Sequence, residues 1–353
     1  MEISKIDSNF RTENAELENG AKYFHIPAEP LSLYGVFFDE KQNRFLRIKD
    51  ERAANVNDRV FYLNKNTSGG RLRFSTDSKN FFLKARWSEL TIMNHMPLSG
   101  SSAFTLLEET DEGEFFVSNF IPDVSDSKGM QRSKGLPGDK MRNYILYFPL
   151  YNDVEELIVG FDADAKVGPG KPYKNILPVL YYGSSITQGG CASRPDNAYQ
   201  ALISKWTNVD FINLGFSGNA KGEKEMMEYL SSIPCSVFVY DYDYNAPTHE
   251  HLAATHYNGY RIFRDKNPLI PVIMLTRPNF DTDPADSGAR LEIVRSSYER
   301  AVSEGDKLVR FIPGNQLFGE KDRERFTVDG CHPTDTGFYK MAERIYAAIS
   351  EFL

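Results

Sequence analysis

From residue 176 to the C-terminus, short apolar runs alternate with segments of helical period, and that alternation narrows the fold more than any other feature of the chain. Strands are expected at 179–182, 209–213, 236–241, 270–275 and 308–312. Between them Tyr199, Leu202, Ile203 and Trp206 recur at helical spacing, as do Leu291, Val294, Tyr298, Ala301 and Val302. The last segment carries Phe338, Met341, Ile345, Ala348, Ile349 and Phe352 on one helical face. Five strand–helix units in series predict an α/β fold, a parallel sheet with helices on both sides. In such sheets ligands bind beyond the carboxyl ends of the strands.

Residues 30–160 have a different texture. Phe81, Leu83, Ala85 and Trp87 alternate with Phe82, Lys84 and Arg86, and similar period-two runs lie at 71–75, 143–148 and 154–161, broken by Gly, Asn, Asp and Ser clusters. No sustained helical period occurs there, so a β-sandwich is expected. Its aromatic residues, Phe81, Trp87, Phe115 and Phe116 among them, suit sugar stacking or, more commonly, core packing. Residues 162–175 hold Gly168, Pro169, Gly170 and Pro172 among charged residues and read as an exposed connector. The expected division is therefore a β-sandwich over 1–165, a linker over 166–177 and an α/β domain over 178–353.

The formal net charge of −8 argues against a nucleic-acid partner, because phosphate binding needs a basic surface. No apolar stretch is long enough to span a bilayer, and Met1–Asp7 lacks the basic and apolar regions of a secretory signal. Three cysteines, Cys191, Cys235 and Cys331, do not describe a disulfide framework. The expected compartment is the cytoplasm; a leader removed upstream would make the protein secreted instead.

Residues with chemistry gather where expected strands give way to loops. Gly183-Ser184-Ser185-Ile186-Thr187 follows the first, Asn213 to Gly218 the second, and Asp243-Tyr244-Asn245 the third. Asp329-Gly330-Cys331-His332-Pro333 comes after the fifth. A serine hydroxyl attacks an ester carbonyl only if a base takes its proton, and imidazole titrates in the useful range. A carboxylate three positions from that imidazole can orient it.

These four blocks, in this order, resemble the SGNH (GDSL-type) hydrolase superfamily over residues 176–353. The resemblance implies a flavodoxin-like five-stranded sheet, Ser185 as nucleophile, His332 as general base and then acid, and Asp329 as its orienting carboxylate. It also implies an oxyanion hole built from the N–H groups of Ser185 and Gly218 and the amide of Asn245. Two departures are visible: Ser184 stands where the family has an acidic residue, and Tyr244 and Ala246 flank Asn245 where Gly-Asn-Asp is usual. One group of the superfamily carries a β-sandwich, resembling carbohydrate-binding modules, ahead of the hydrolase domain. Met93 to Gly100 looks like a segment of it. That likeness implies an esterase removing small acyl groups, often acetyl, from carbohydrates or small metabolites, without metal or organic cofactor. Acyltransferases are close relatives, and a catalytically dead carbohydrate-binding protein is a further alternative.

Competing readings are weaker. His249, His251 and His256 invite a zinc site, but the spacing of two between His249 and His251 is poor on a helix capped by Thr248. His256 is instead expected at the substrate rim. Arg277 either joins that rim or pairs with a carboxylate. Asp241 and Asp243 share one side of a strand, yet nothing sets them at a glycosidase separation. Cys331 adjoins His332 too closely to be its nucleophile and is expected to pack. The Gly-Pro-Gly-Lys of the connector lacks the spacing of a phosphate loop, and the chain has no Gly-x-Ser-x-Gly elbow.

Overall fold

The computed structural model describes residues 20–278 and 281–353; the expectation drawn from Met1–Asp7 lies outside them. The parallel strands form at Val179–Gly183 (β1), Phe211–Gly215 (β2), Val237–Asp241 (β3), Val272–Leu275 (β4) and Val309–Ile312 (β5). They hydrogen-bond in the order β2-β1-β3-β4-β5, parallel throughout. This is the flavodoxin-like order, whose direction switches between β1 and β3 and opens a crevice at their carboxyl ends.

Helices follow at Ser185–Gln188 (α1), Tyr199–Thr207 (α2), Lys224–Leu230 (α3), His249–Lys266 (α4), Pro284–Ser303 (α5) and Asp335–Ile349 (α6). Polar caps set several starts: Thr248, Asp283 and Thr334 each accept a backbone N–H of the first turn. Strand alternation divides the core in two. Val179, Tyr181, Val237 and Val239 face α2 and α6 on one side. On the other, Leu180, Tyr182, Phe238 and Tyr240 face α3, α4 and α5.

Ahead of this sheet lie two antiparallel sheets. One pairs Ala21–His25, Glu156–Asp162, Asn80–Arg86 and Gly129–Gly135 in that order; the other is built on Arg71–Thr76, Arg142–Tyr147, Phe104–Glu109 and Glu114–Phe120. Phe81, Leu83, Ala85 and Trp87 enter the core between them, with Phe74, Tyr144 and Leu146 opposite. Phe115 and Phe116 stay exposed.

Three features go beyond the expected pattern. Short helices at Glu51–Ala54 and Asp58–Leu63, capped by Asp50 and Asn57, interrupt the all-strand region. Strand Arg142–Tyr147 is buried on both faces, with Tyr144 and Leu146 in the sandwich and Ile145 and Tyr147 against the parallel sheet's core. In the expected connector, Val167–Pro169 pairs with Arg71–Thr76, and the Tyr173 ring lies 3.5 Å from the Arg73 guanidinium. Among the described residues no helix is long and apolar enough to cross a membrane.

Candidate active site

The turn from β1 into α1 presents Ser185. A Cβ on Gly183 would fall 2.1 Å from Thr187 Oγ1 and 2.4 Å from the Asp241 carbonyl, so only glycine lets the strand end this tightly against its neighbour. Ser184 Oγ accepts the Ile186 N–H at 3.1 Å and caps the helix. A serine thus caps the helix at the position where the resemblance leads one to expect an acidic residue. Ser185 occupies the first helical position, where an N–H has no carbonyl within the helix and is left for another acceptor.

His332 and Asp329 come from a loop pinched shut by the Thr327–Pro333 bridge and the Val328 N–H bond to the His332 carbonyl, 2.8 Å. Gly330 turns the loop at φ +79°. Asp329 Oδ1 accepts the N–H groups of Cys331 (3.0 Å) and His332 (2.8 Å), while Oδ2 lies 2.8 Å from His332 Nδ1. With the Nδ1 proton directed at Asp329, Nε2 is free to accept from Ser185 Oγ, 2.9 Å away. Serine, imidazole and carboxylate therefore form one continuous relay.

The electrostatics follow from these contacts. Burial opposes ionisation of Asp329, but the two N–H groups and the imidazole hold it below the usual carboxylate range. Burial likewise works against the imidazolium of His332. The Cys331 sulfur and the Asp329 carboxylate outweigh it, and His332 is pushed up to about 9.

Gly218 and Asn245, the other two expected donors, lie on loops tied to each other. Gly218 is exposed at φ +69°, and a Cβ there would meet nothing within 4 Å, so its backbone borders open space. Asn245 Oδ1 accepts the Ala220 N–H at 3.3 Å, which leaves its amide NH₂ as the outward donor. One residue that the sequence did not single out organises this side. Gln188 is fully buried; its Oε1 accepts the Ser217 N–H at 3.0 Å, and its Nε2 donates to Asn66 Oδ1 (3.1 Å) and the Leu150 carbonyl (3.2 Å). Ser68 Oγ bonds the Gln188 carbonyl at 2.6 Å, and Tyr151 OH bonds the Ser185 carbonyl at 3.3 Å. The sandwich thus holds the nucleophile turn directly and the Gly218 loop through Gln188.

Other candidates fall elsewhere. His256, expected at the rim, is buried in α4 with its ring stacked on Tyr240 and Tyr242, because the helical period turns it toward the sheet. Burial lowers it to about 3. Arg277 pairs with Asp286 at 2.5 Å and donates to Ser287 at 2.9 Å, although its guanidinium also lies 5.2 Å from the Tyr244 ring. His249 is tied to Asp286 and His251 to the Lys221 carbonyl. Asp241 and Asp243 are buried beneath the nucleophile turn; burial first, and then each other's proximity, hold Asp241 well above its usual value. Thr187 and Tyr199 donate to it.

A second group of donors surrounds His332. His95, on a hairpin of the sandwich closed by the Met93–Met96 bridge, places its ring centroid 5.3 Å from that of His332. The donor atoms of His95, Cys191 and His332 lie within 4.8 Å of one another. Sequence gave no signal for this, since three distant segments supply the residues.

The sequence profile of the GDSL-like lipase/acylhydrolase family matches residues 176–350, and that of the N-terminus of SGNH-hydrolase-type esterases matches residues 21–167. A protein from Bacteroides ovatus described as a GDSL-like lipase has a similar structure, with TM-score 0.83 and 28% identity over 94% of this chain and 98% of its own. A salicylyl-acyltransferase from a tetracycline biosynthetic pathway gives TM-score 0.76 at 18% identity, covering 95% and 98%. A family two carbohydrate esterase from Clostridium thermocellum, solved with cellohexaose, gives 0.60 at 14%, covering 91% and 98%. No curated protein matched the sequence.

Proposed function

Because the chain belongs to the SGNH (GDSL-type) hydrolase superfamily, in the group with a β-sandwich ahead of the hydrolase domain, we propose that Ser185, His332 and Asp329 are its catalytic triad. The protein is a serine ester hydrolase. We further propose that its substrates are short-chain esters, acetyl foremost, of a carbohydrate or small metabolite, hydrolysed within residues 178–353 without a cofactor.

The observation that carries this reading is the unbroken relay from Asp329 through His332 to Ser185, at 2.8 and 2.9 Å. Ser185 Oγ attacks the ester carbonyl while His332 Nε2 takes its proton, and Asp329 stabilises the imidazolium that forms. The carbonyl oxygen becomes an oxyanion facing the N–H groups of Ser185 and Gly218 and the Asn245 amide. Such preorganised donors are each worth about 3 kcal/mol in comparable sites. His332 then hands its proton to the departing alcohol, and a water, deprotonated by the same imidazole, releases the acid. The His95 hairpin beside His332 takes up room at one side of the cleft and supports a preference for small acyl groups. Two observations support the alcohol part: the carbohydrate esterase of similar fold solved with cellohexaose, and the exposed ring of Phe115, which suits stacking on a sugar.

Ser185→Ala is expected to cut turnover of p-nitrophenyl acetate by about 10⁴-fold or more, with circular dichroism unchanged. Retained activity in that variant would remove the triad. A series of acyl chain lengths, followed by acetylated sugars, tests the substrate: rates rising toward longer chains would overturn the short-chain reading. Product analysis in the presence of alcohols separates hydrolysis from transfer, which needs the same groups.

A further inference from the structure

We propose that His95, Cys191 and His332 form a binding site for a thiophilic divalent cation of the zinc class, and that its occupancy switches the esterase off. The inference rests on His332 being the general base. Three separate parts of the fold supply the donors: the sandwich hairpin, the loop after the nucleophile helix and the C-terminal loop.

Two imidazoles and a thiol are the donor set that zinc prefers. In a tetrahedral zinc site, bonds of roughly 2.0–2.3 Å put neighbouring donors roughly 3.3–3.8 Å apart. The three donor atoms already lie within 4.8 Å of one another, and His95 is exposed, so rotation of its side chain closes the remaining distance.

Cys191 is held for this position. It is buried with φ +73°, the left-handed region that a residue other than glycine rarely occupies, although two glycines precede it. Its N–H donates to Met96 Sδ at 3.4 Å and its thiol to the His95 carbonyl at 3.3 Å. Both anchors belong to the His95 hairpin, so the hairpin and the thiol are positioned together.

Binding requires the thiolate and neutral imidazoles, so Cys191 loses its proton to solvent, His332 loses one as well wherever it is charged, and no electron moves. The metal takes an imidazole lone pair that Ser185 needs as its proton acceptor, because the other ring nitrogen is bonded to Asp329. Inhibition follows without distortion of the fold.

The test uses the full chain, with cobalt(II) as the spectroscopic probe and zinc as the inhibitor. Cobalt is expected to give a near-ultraviolet thiolate charge-transfer band with intense tetrahedral ligand-field bands, the former lost in Cys191→Ser. Zinc is expected to inhibit ester hydrolysis reversibly, with a chelator restoring the rate. Cys191→Ser should keep basal activity yet need at least about tenfold more zinc, the least that even an outer-shell loss costs; His95→Ala, each rate read against its own metal-free rate, should need at least about tenfold more zinc as well. No thiolate band in the native protein, an unchanged band in Cys191→Ser, or zinc sensitivity in both variants equal to that of the native protein would overturn the proposal. If the native protein hydrolyses no ester, the triad reading fails while the cobalt spectra still decide the metal site.

Discussion

At the scale of single residues, His332 sits between two demands. As a base it must be neutral, yet the Asp329 carboxylate and the Cys331 sulfur favour its charged form and hold it near 9 against burial. Because only the neutral imidazole accepts the serine proton, kcat/KM is expected to climb with pH through an inflection above the ordinary histidine value of about 6.5. Stability runs the other way. A folded-state value raised above the unfolded one contributes fully below about 6.5 and is lost as pH rises through about 9. Cys331→Ala removes one of the groups that raise His332, so its acid limb should move to lower pH with little change in the plateau rate. An inflection at the ordinary value that ignores Cys331→Ala would contradict this account.

At the scale of elements, two turns carry the chemistry, and each is fixed by a buried polar residue. The first, from β1 into α1, depends on Gly183 and the Ser184 cap. The second, after β2, is held through the Ser217 N–H bond to Gln188. Gln188→Ala would leave that N–H without its acceptor and free the neighbouring Gly218 to drift. We expect kcat to fall about 10- to 10²-fold with KM nearly constant, and stability to drop by about 1–3 kcal/mol. A rise in KM at constant kcat would place the role of Gln188 in ground-state binding instead.

The contrast between these turns also explains what sequence alone made legible. The block order and the five strands, with ends displaced by no more than two residues, could be read from period and spacing, because each depends on neighbours within a few residues. Gln188 lies only three positions after Ser185, yet its function exists only through Asn66, Leu150 and Ser217, which the fold alone brings to it. His256 misled for the converse reason: it lies near Asn245 in the chain, while the helical period turns it into the core. The helices at 51–54 and 58–63 span too little chain to show a period, although Asp50 and Asn57 marked their starts.

At the scale of the whole molecule, the sandwich keeps its own core, while its outer face and the helices at 51–63 close the two cores of the parallel sheet. Met96, Leu107, Ile145, Tyr147 and Leu150 belong to the same buried cluster as Val179, Tyr181 and Ile186. On the opposite face of the sheet, Ile48, Ala53, Val60 and Leu63 join Leu180, Tyr182 and Leu214. Polar ties run beside them. The Arg47 guanidinium donates to the carbonyls of Gly215 (2.7 Å) and Leu63 (2.6 Å), and Arg71 pairs with Asp210 while its guanidinium lies 3.8 Å from the Phe211 ring. Cutting the chain near residue 176 would therefore strip both helical layers of apolar partners and leave the β2 carbonyls without their arginines. A fragment covering 176–353 is expected to keep far-ultraviolet helical signal, lose near-ultraviolet signal, bind a hydrophobic dye and hydrolyse p-nitrophenyl acetate poorly or not at all. Restoration of activity by adding the separate 1–175 fragment would agree with a shared core. A 176–353 fragment with a cooperative melt and native kcat would instead show that the sandwich is an appended module, with the contacts to Gln188 and Ser185 dispensable.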